Sequence, residues 1–328
     1  MVMDVIEIMA QGVVWDNHSC MPLRPGDPSF LSQLERYRNS GVDMVMLNIS
    51  FGDFPLVSTF EMLAEFRYWI CQHAADYQLV HQVDDIIQAK HHNKLAIAFD
   101  IEGGCVVETH PGLVEIFYDL GVRWMLIAYN KNNRLGGGCQ DKDTGLTDYG
   151  RTIIDEMQRV GMVLCCSHTG SRTAMEAMAY SSNPVIFSHS NPRSVYNHER
   201  NIPDQLIKAC AATGGVISIN GIGLFLGDND NSTGTLLRHI DYVVNLVGIE
   251  HVGLGLDYVF DTQELDALFK QSPDLFPVEK GYSPGIKLVE PERIPLIAEG
   301  LLAMNYTQDQ VKAVLGGNNL RVAKAVWR

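Results

Sequence analysis

The stretch VVWDNHSC, residues 13–20, reads as a buried strand that runs into a polar tip. Val13, Val14 and Trp15 lead into Asp16, Asn17 and His18, and Cys20 follows after Ser19. Side chains two apart on an extended chain point to the same face, so His18 and Cys20 are placed to grip one object together.

Seven further runs share this form: VDMVMLNIS (42–50), LAIAFDIEGG (95–104), VRWMLIAYN (122–130), MVLCCSH (162–168), PVIFSHS (184–190), GVISIN (215–220) and HVGLGLDY (251–258). They are apolar throughout instead of alternating, which suits parallel strands covered on both faces. Amphipathic stretches with helix start and stop signals separate them, among them TDYGRTIIDEMQRVG (147–161) and GTLLRHIDYVVNLVG (234–248). Residues 58–94 are long enough for two helices. Eight strands alternating with helices predict an α/β fold, a closed (β/α)8 TIM barrel occupying residues 1–328 as one domain. Residues 291–328 read as extra C-terminal helices that close it. An open doubly wound sheet is the alternative, but no Gly-x-Gly-x-x-Gly turn follows the first strand, so its dinucleotide-binding version has little support. Residues 260–290, with Pro, Gly and several aromatics, read as a long loop over one barrel mouth and part of a substrate lid. The 220–231 loop (NGIGLFLGDNDN) is a second shaper of the mouth.

The chain of 328 residues is 46% hydrophobic and 20% charged, ample for a large core, and its formal net charge is −14. That balance argues against a nucleic-acid or anionic-membrane partner, because no basic surplus exists to neutralise phosphates. The N-terminus, MVMDVIEIMAQG, carries Asp4 and Glu7 and lacks the basic and apolar regions of a secretory signal. The expectation is a cytoplasmic protein. Seven scattered cysteines, an odd number, read as free thiols and not as a disulfide framework. Cys20 stands apart because of His18, and Cys139 in GGGCQD is a weaker second.

The ends of the eight runs carry His18, Asn48 or Ser50, Glu102, Tyr129 with Asn130, His168, His189, Asn220 and Asp257. Any one of them has a bland explanation, a structural hydrogen bond or a helix cap. In a barrel they converge on one face, where such folds keep their chemistry. Three histidines, two carboxylates and a thiol in one cavity would desolvate at heavy cost unless a cation joins them. His, Cys and carboxylate are ordinary zinc ligands. Two divalent ions bridged by Glu102 use the donors economically, His18 and Cys20 on one, His168 and His189 on the other. Water held between two ions is a strong nucleophile near neutral pH, and Asp257 is placed to take and return protons. The expected chemistry is hydrolysis.

The stretches WDNHSC, FDIEGG, LIAYNKNN, CCSHTG, VIFSHSNPRSVYNHERNIPD and HVGLGLDY, in this order from Asp16 to Tyr258, resemble the renal (membrane) dipeptidase family of metallopeptidases, within the wider amidohydrolase-like barrels. The resemblance implies that His168 and His189 hold one zinc, that Glu102 bridges, and that His18 begins the other site. It implies that Arg200, eleven residues after His189, pairs with the carboxylate of a dipeptide-like substrate, as a guanidinium fork is suited to do. Asp257 matches the catalytic aspartate. Asp16 matches an acid that supports the histidine, or else closes the strand end by a hydrogen bond. A homodimer or higher homo-oligomer is expected on the same ground.

Two departures stand out. The family reads His-x-Asp on its first strand, and here it is His18-x-Cys20. Either a thiolate ligates zinc, with more charge donation than a carboxylate, or Cys20 stays out and the first site is weak; we take ligation as the expectation. The family ends its fourth strand with Thr-His, and here Tyr129 stands there, a phenol that can donate to an oxyanion but cannot become a cation. The changes leave two alternatives to dipeptide hydrolysis: a divergent hydrolase of another small amide or a lactone, and a non-catalytic metabolite-binding descendant.

Overall fold

A computed structural model describes residues 5–328; residues 1–4, including Asp4 of the N-terminal reading, lie outside the described residues. Nine strands form one sheet: β1 (Trp15–Cys20), β2 (Met44–Phe51), β3 (Tyr77–Leu79), β4 (Leu95–Glu102), β5 (Val122–Leu126), β6 (Val163–Cys165), β7 (Ile217–Ile219), β8 (Val252–Leu254) and β9 (Tyr258–Val259). Their order is β6-β5-β4-β2-β1-β8-β7, with β3 on β4 and β9 on β1. Every strand pairing is parallel.

The sheet curls as a TIM-type fold does, but its seven-strand path is a half-barrel, not the closed eight-stranded barrel expected. The missing member is the 184–190 run. It makes only single parallel bridges, Ile186 to Cys165 of β6 and Phe187 to Ile217 of β7. Its next two backbone donors go to side chains: Ser188 N–H to Cys165 Sγ at 3.3 Å and His189 N–H to Ser167 Oγ at 3.3 Å. Side-chain acceptors that capture backbone N–H groups compete with the ladder, and the strand ends before it lengthens. β3, unforeseen, lies between the helices Leu56–Gln72 and Val83–His91 in the stretch expected to be helical.

The apolar runs divide by parity. Trp15, Met44, Met46, Ala96, Ala98, Trp124 and Val163 fill the inside of the curl, while Val14, Val45, Leu47, Ile97, Phe99, Met125 and Leu164 pack outward with the helices. Strict parity would send His18 outward with Val14. The β1–β2 register slips by one residue between Asp16 and Ser19, and that bulge returns the His18 ring to the inner face, 5.4 Å from the Trp124 ring. On β4, Asp100 and Glu102 continue the inner parity of Ala96 and Ala98, because the register slips in its pairings place the extra residue on β2 and β5 and not on β4.

The tail folds into the helices Ile294–Ala303, Gln308–Lys312 and Asn318–Val326. Val322, Ala323 and Val326 join the inner cluster, and the Trp327 ring sits 5.7 Å from Trp15, closing the end opposite the polar tips. Residues 260–290 are not simply a loop: they contain the helix Thr262–Gln271, capped by Asp261, and their Phe269, Phe276 and Tyr282 form an aromatic cluster with Phe225 of the 220–231 loop. No described helix is long and apolar enough to cross a membrane. All seven cysteines are free.

Candidate metal centre

His18, Cys20, Glu102, His168, His189 and Asp257 come together at the strand ends. Two groups of three donors each fall within 4.8 Å of one another: His18, Cys20 and Glu102, and Glu102, His168 and His189. Glu102 belongs to both. Its Oε2 lies 3.5 Å from His18 Nε2, and its Oε1 lies 3.2 Å from His168 Nε2 and 3.0 Å from His189 Nε2. Cys20 Sγ lies 3.4 Å from His18 Nε2 and 3.5 Å from Asp257 Oδ1.

The far nitrogens of the rings are held. His18 Nδ1 meets Asp100 Oδ2 at 3.2 Å, His168 Nδ1 meets Asn130 Oδ1 at 2.7 Å, and His189 Nδ1 meets Ser188 Oγ at 2.8 Å. Asp100 is itself fixed by Asn48 Nδ2 at 3.0 Å. With Asn130 accepting, the proton of His168 sits on Nδ1 and the lone pair on Nε2 faces inward. Burial, reinforced by Arg200, pulls His168 down to about 3, and burial with His18 holds His189 well below the usual imidazole value. Both rings are therefore neutral, the form that ligates. Burial alone would raise Glu102, but His18, His189 and His168 hold it well below the usual carboxylate range. Glu102 Oε1 is buried and makes no hydrogen bond of good geometry despite two imidazole nitrogens within 3.2 Å. Glu102 Oε1, His168 Nε2 and His189 Nε2 crowd within 3.2 Å of one another, the two ring nitrogens 3.0 Å apart, an arrangement of donors that a cation satisfies. The donors present fit a divalent metal.

Local backbone aims them. His168 (φ 60°), Asn130 (φ 58°) and Asp257 (φ 57°) all occupy the left-handed region, which costs a side-chain-bearing residue energy and clusters at functional sites. Asp257 receives Asn220 Nδ2 at 2.7 Å, and its Oδ1 lies 3.4 Å from His18 Nε2. Burial raises its carboxyl above the usual value, against the pull of His18 and with the charge of Glu102 adding to the rise. The Tyr129 ring stacks on His168 at 4.2 Å, and burial together with Glu102 and Asp257 keeps its phenol protonated.

Arg200 stands on the other side of His189, donating to His189 O at 2.9 Å and Ser190 Oγ at 3.1 Å. It is 3% exposed, pairs with no carboxylate among the described residues, and leaves Nε without a partner. It borders a polar cavity with Cys139, Glu199 and His168, while Cys20, Glu102, Tyr129 and Asp257 border a second, larger-walled apolar one. His168 borders both.

Asp16 does not reach the His18 ring. Its oxygens accept from Tyr37 Oη at 2.9 Å and Leu256 N at 2.7 Å, closing the strand end between β1 and β8. The acid that orients His18 is Asp100, which the sequence reading passed over. Its signal was the spacing in FDIE, two residues before Glu102 on the same strand face. Ser188 was equally unmarked, being one hydroxyl in a serine-rich run.

A family model described as membrane dipeptidase (peptidase family M19) matches residues 32–272, beginning after β1. An uncharacterized dipeptidase of Schizosaccharomyces pombe is 32% identical over 277 residues, 81% of this chain and 62% of that protein. This chain spans roughly two-fifths to three-fifths of the length of the curated relatives it matches, the shares being 62%, 42% and 56%. Among solved structures, an amidohydrolase from Pseudomonas aeruginosa is 27% identical with a TM-score of 0.87, covering 99% of each chain. A metallo peptidase from Rhodobacter sphaeroides, liganded with a phosphinate mimic of the dipeptide L-Ala-D-Ala, shares the fold at a TM-score of 0.80 and 16% identity, over 96% of this chain and 99% of its own.

Proposed function

Because the chain belongs to the membrane dipeptidase family, peptidase family M19, we propose that it is a metal-dependent hydrolase of the amide bond in dipeptides or dipeptide-like compounds that carry a free carboxylate. The observation that carries this reading is the pair of three-donor groups sharing Glu102. His18, Cys20 and Glu102 would hold one zinc, and Glu102, His168 and His189 another. A divalent ion there supplies Lewis acidity and a water acidic enough to attack at neutral pH.

The remaining work falls to the chain's own groups. Arg200, buried and without a carboxylate of its own, receives the substrate carboxylate and fixes which amide meets the centre. Tyr129, held as a phenol, donates a hydrogen bond to the oxygen that gains charge. Asp257, with its carboxyl raised by burial and steadied by Asn220, accepts a proton at Oδ1 and delivers it to the leaving nitrogen. Asp100, Asn130 and Ser188 hold the three rings in orientation.

Zinc-loaded protein assayed on a panel of dipeptides and N-acyl amino acids tests the reading. Turnover is expected, and Arg200→Met should cost on the order of a hundredfold or more in kcat/KM for carboxylate-bearing substrates. Full activity in Arg200→Met would point instead to a lactone or amide with no carboxylate. No turnover anywhere on the panel would remove the proposal.

A further inference from the structure

We propose that the acyl side of the scissile amide carries a large, uncharged apolar group, selected by the Thr262–Gln271 helix and the aromatic residues behind it; this rests on the hydrolytic reading above. The two cavities that meet at His168 differ in character. Arg200, Glu199 and Cys139 border one, so the charged carboxylate end of a substrate belongs there. The other opens over Cys20, Glu102 and Asp257 and is walled by Met21, Leu23, Phe51, Leu265, Leu268 and Phe276. With the carboxylate on the first side, the acyl substituent must enter the second.

An aromatic roof holds that second cavity open. Phe269 meets Phe276 edge-on at 5.3 Å, Phe276 meets Tyr282 at 5.5 Å, and Tyr282 meets Phe225 at 6.1 Å. Edge-to-face aromatic packing of this kind makes a stiff roof. Leu265 and Leu268, on the face of the helix that borders the cavity, remain half-buried. Apolar surface left in this state is what an apolar ligand covers.

The acids on its wall are already engaged. Asp261 caps the helix by accepting from Gln263 N and Glu264 N, and it takes Arg24 Nη2 at 2.8 Å. Glu264 lies 3.1 Å from Arg24 Nε. Away from Glu102 and Asp257, this cavity therefore offers no unpaired charge to a polar acyl group. A charged acyl side chain would lose its hydration with no partner in return.

The test compares kcat/KM of the zinc-loaded protein on Ala-Ala, Phe-Ala, Lys-Ala, Asp-Ala and N-(3-phenylpropanoyl)-alanine. Phe-Ala, N-(3-phenylpropanoyl)-alanine or both should exceed Ala-Ala by on the order of tenfold or more, and the charged pair should fall below it. Which of the two bulky compounds leads tells whether the group arrives on an amine-bearing residue or a plain acyl chain. Leu268→Asp should bring the Phe-Ala to Ala-Ala ratio to one or lower, and the milder Leu268→Ala should move it part of the way. Calorimetry with 3-phenylpropanoate and propanoate reads the cavity without turnover, the phenyl compound binding at least about tenfold tighter. Ala-Ala outpacing both bulky compounds, or equal binding of the two acids, overturns the inference. Tight 3-phenylpropanoate binding without hydrolysis of any substrate keeps the apolar cavity and removes the hydrolytic reading.

Discussion

Cys20 is the residue on which this chain's individuality turns. The thiol lies 3.4 Å from His18 Nε2, within the group completed by Glu102. Cys20→Ala should lower the zinc content by one ion per chain after dialysis, leaving the group of Glu102, His168 and His189 intact. Cys20→Asp should keep the count and shift preference from zinc toward manganese, since an oxygen donor replaces a soft sulfur; competition between the two metals followed by elemental analysis checks it. Away from the centre, His239 is buried with Nε2–H donating to Leu226 O at 2.9 Å and Nδ1 without a partner. Burial pulls it down to about 4, Arg238 adding to the effect. The unfolded chain takes up this proton near pH 6.5 and the folded chain only near 4, so stability falls as pH drops through that window, by up to about 3 kcal/mol. His239→Gln should flatten urea stability between pH 6.5 and 4; an unchanged slope would contradict the assignment. The pairing of His18 with Cys20 was legible because a two-residue spacing fixes a shared face. The same spacing in FDIE put Asp100 on the face of Glu102, but which ring it serves was not legible, because His18 lies 82 positions away.

At the scale of elements, most helices were readable from their ends. Thr147 caps the helix Asp148–Val160 by accepting from Gly150 N at 2.9 Å, and Gly161 ends it at φ 93°. Thr147→Val should cost about 1 kcal/mol, seen as a lower denaturation midpoint with an unchanged m-value. The sheet was less legible, for a physical reason. Seven of the eight apolar runs became strands in the path of the sheet. The 184–190 run gave two of its N–H groups, those of Ser188 and His189, to Cys165 Sγ and Ser167 Oγ, a competition invisible until the fold brings those side chains near. The bulge in β1 was equally hidden: the identity of residues 16–19 does not announce the extra residue that turns His18 inward. Residues 260–290 looked like a loop because their Pro and Gly content masks the ten-residue helix Thr262–Gln271.

For the whole molecule, the metal centre is a tie between distant parts of the chain. Its donors come from β1, β4, the segment after β6 and the 184–190 run itself, so ions bound there tie that irregular run to β1, β4 and the turn after β6. Chelation should therefore lower the melting temperature by on the order of 10 °C, with zinc restoring it. The family and the curled parallel sheet were visible in the order of the motifs; the open ladder and the division of the mouth into one polar and one apolar cavity needed coordinates. The most direct test is anomalous diffraction at the zinc edge from zinc-loaded crystals. The account predicts two peaks flanking Glu102, one bordered by His18 and Cys20 and one by His168 and His189. Crystals that diffract well and show no peak beside Glu102 would contradict it.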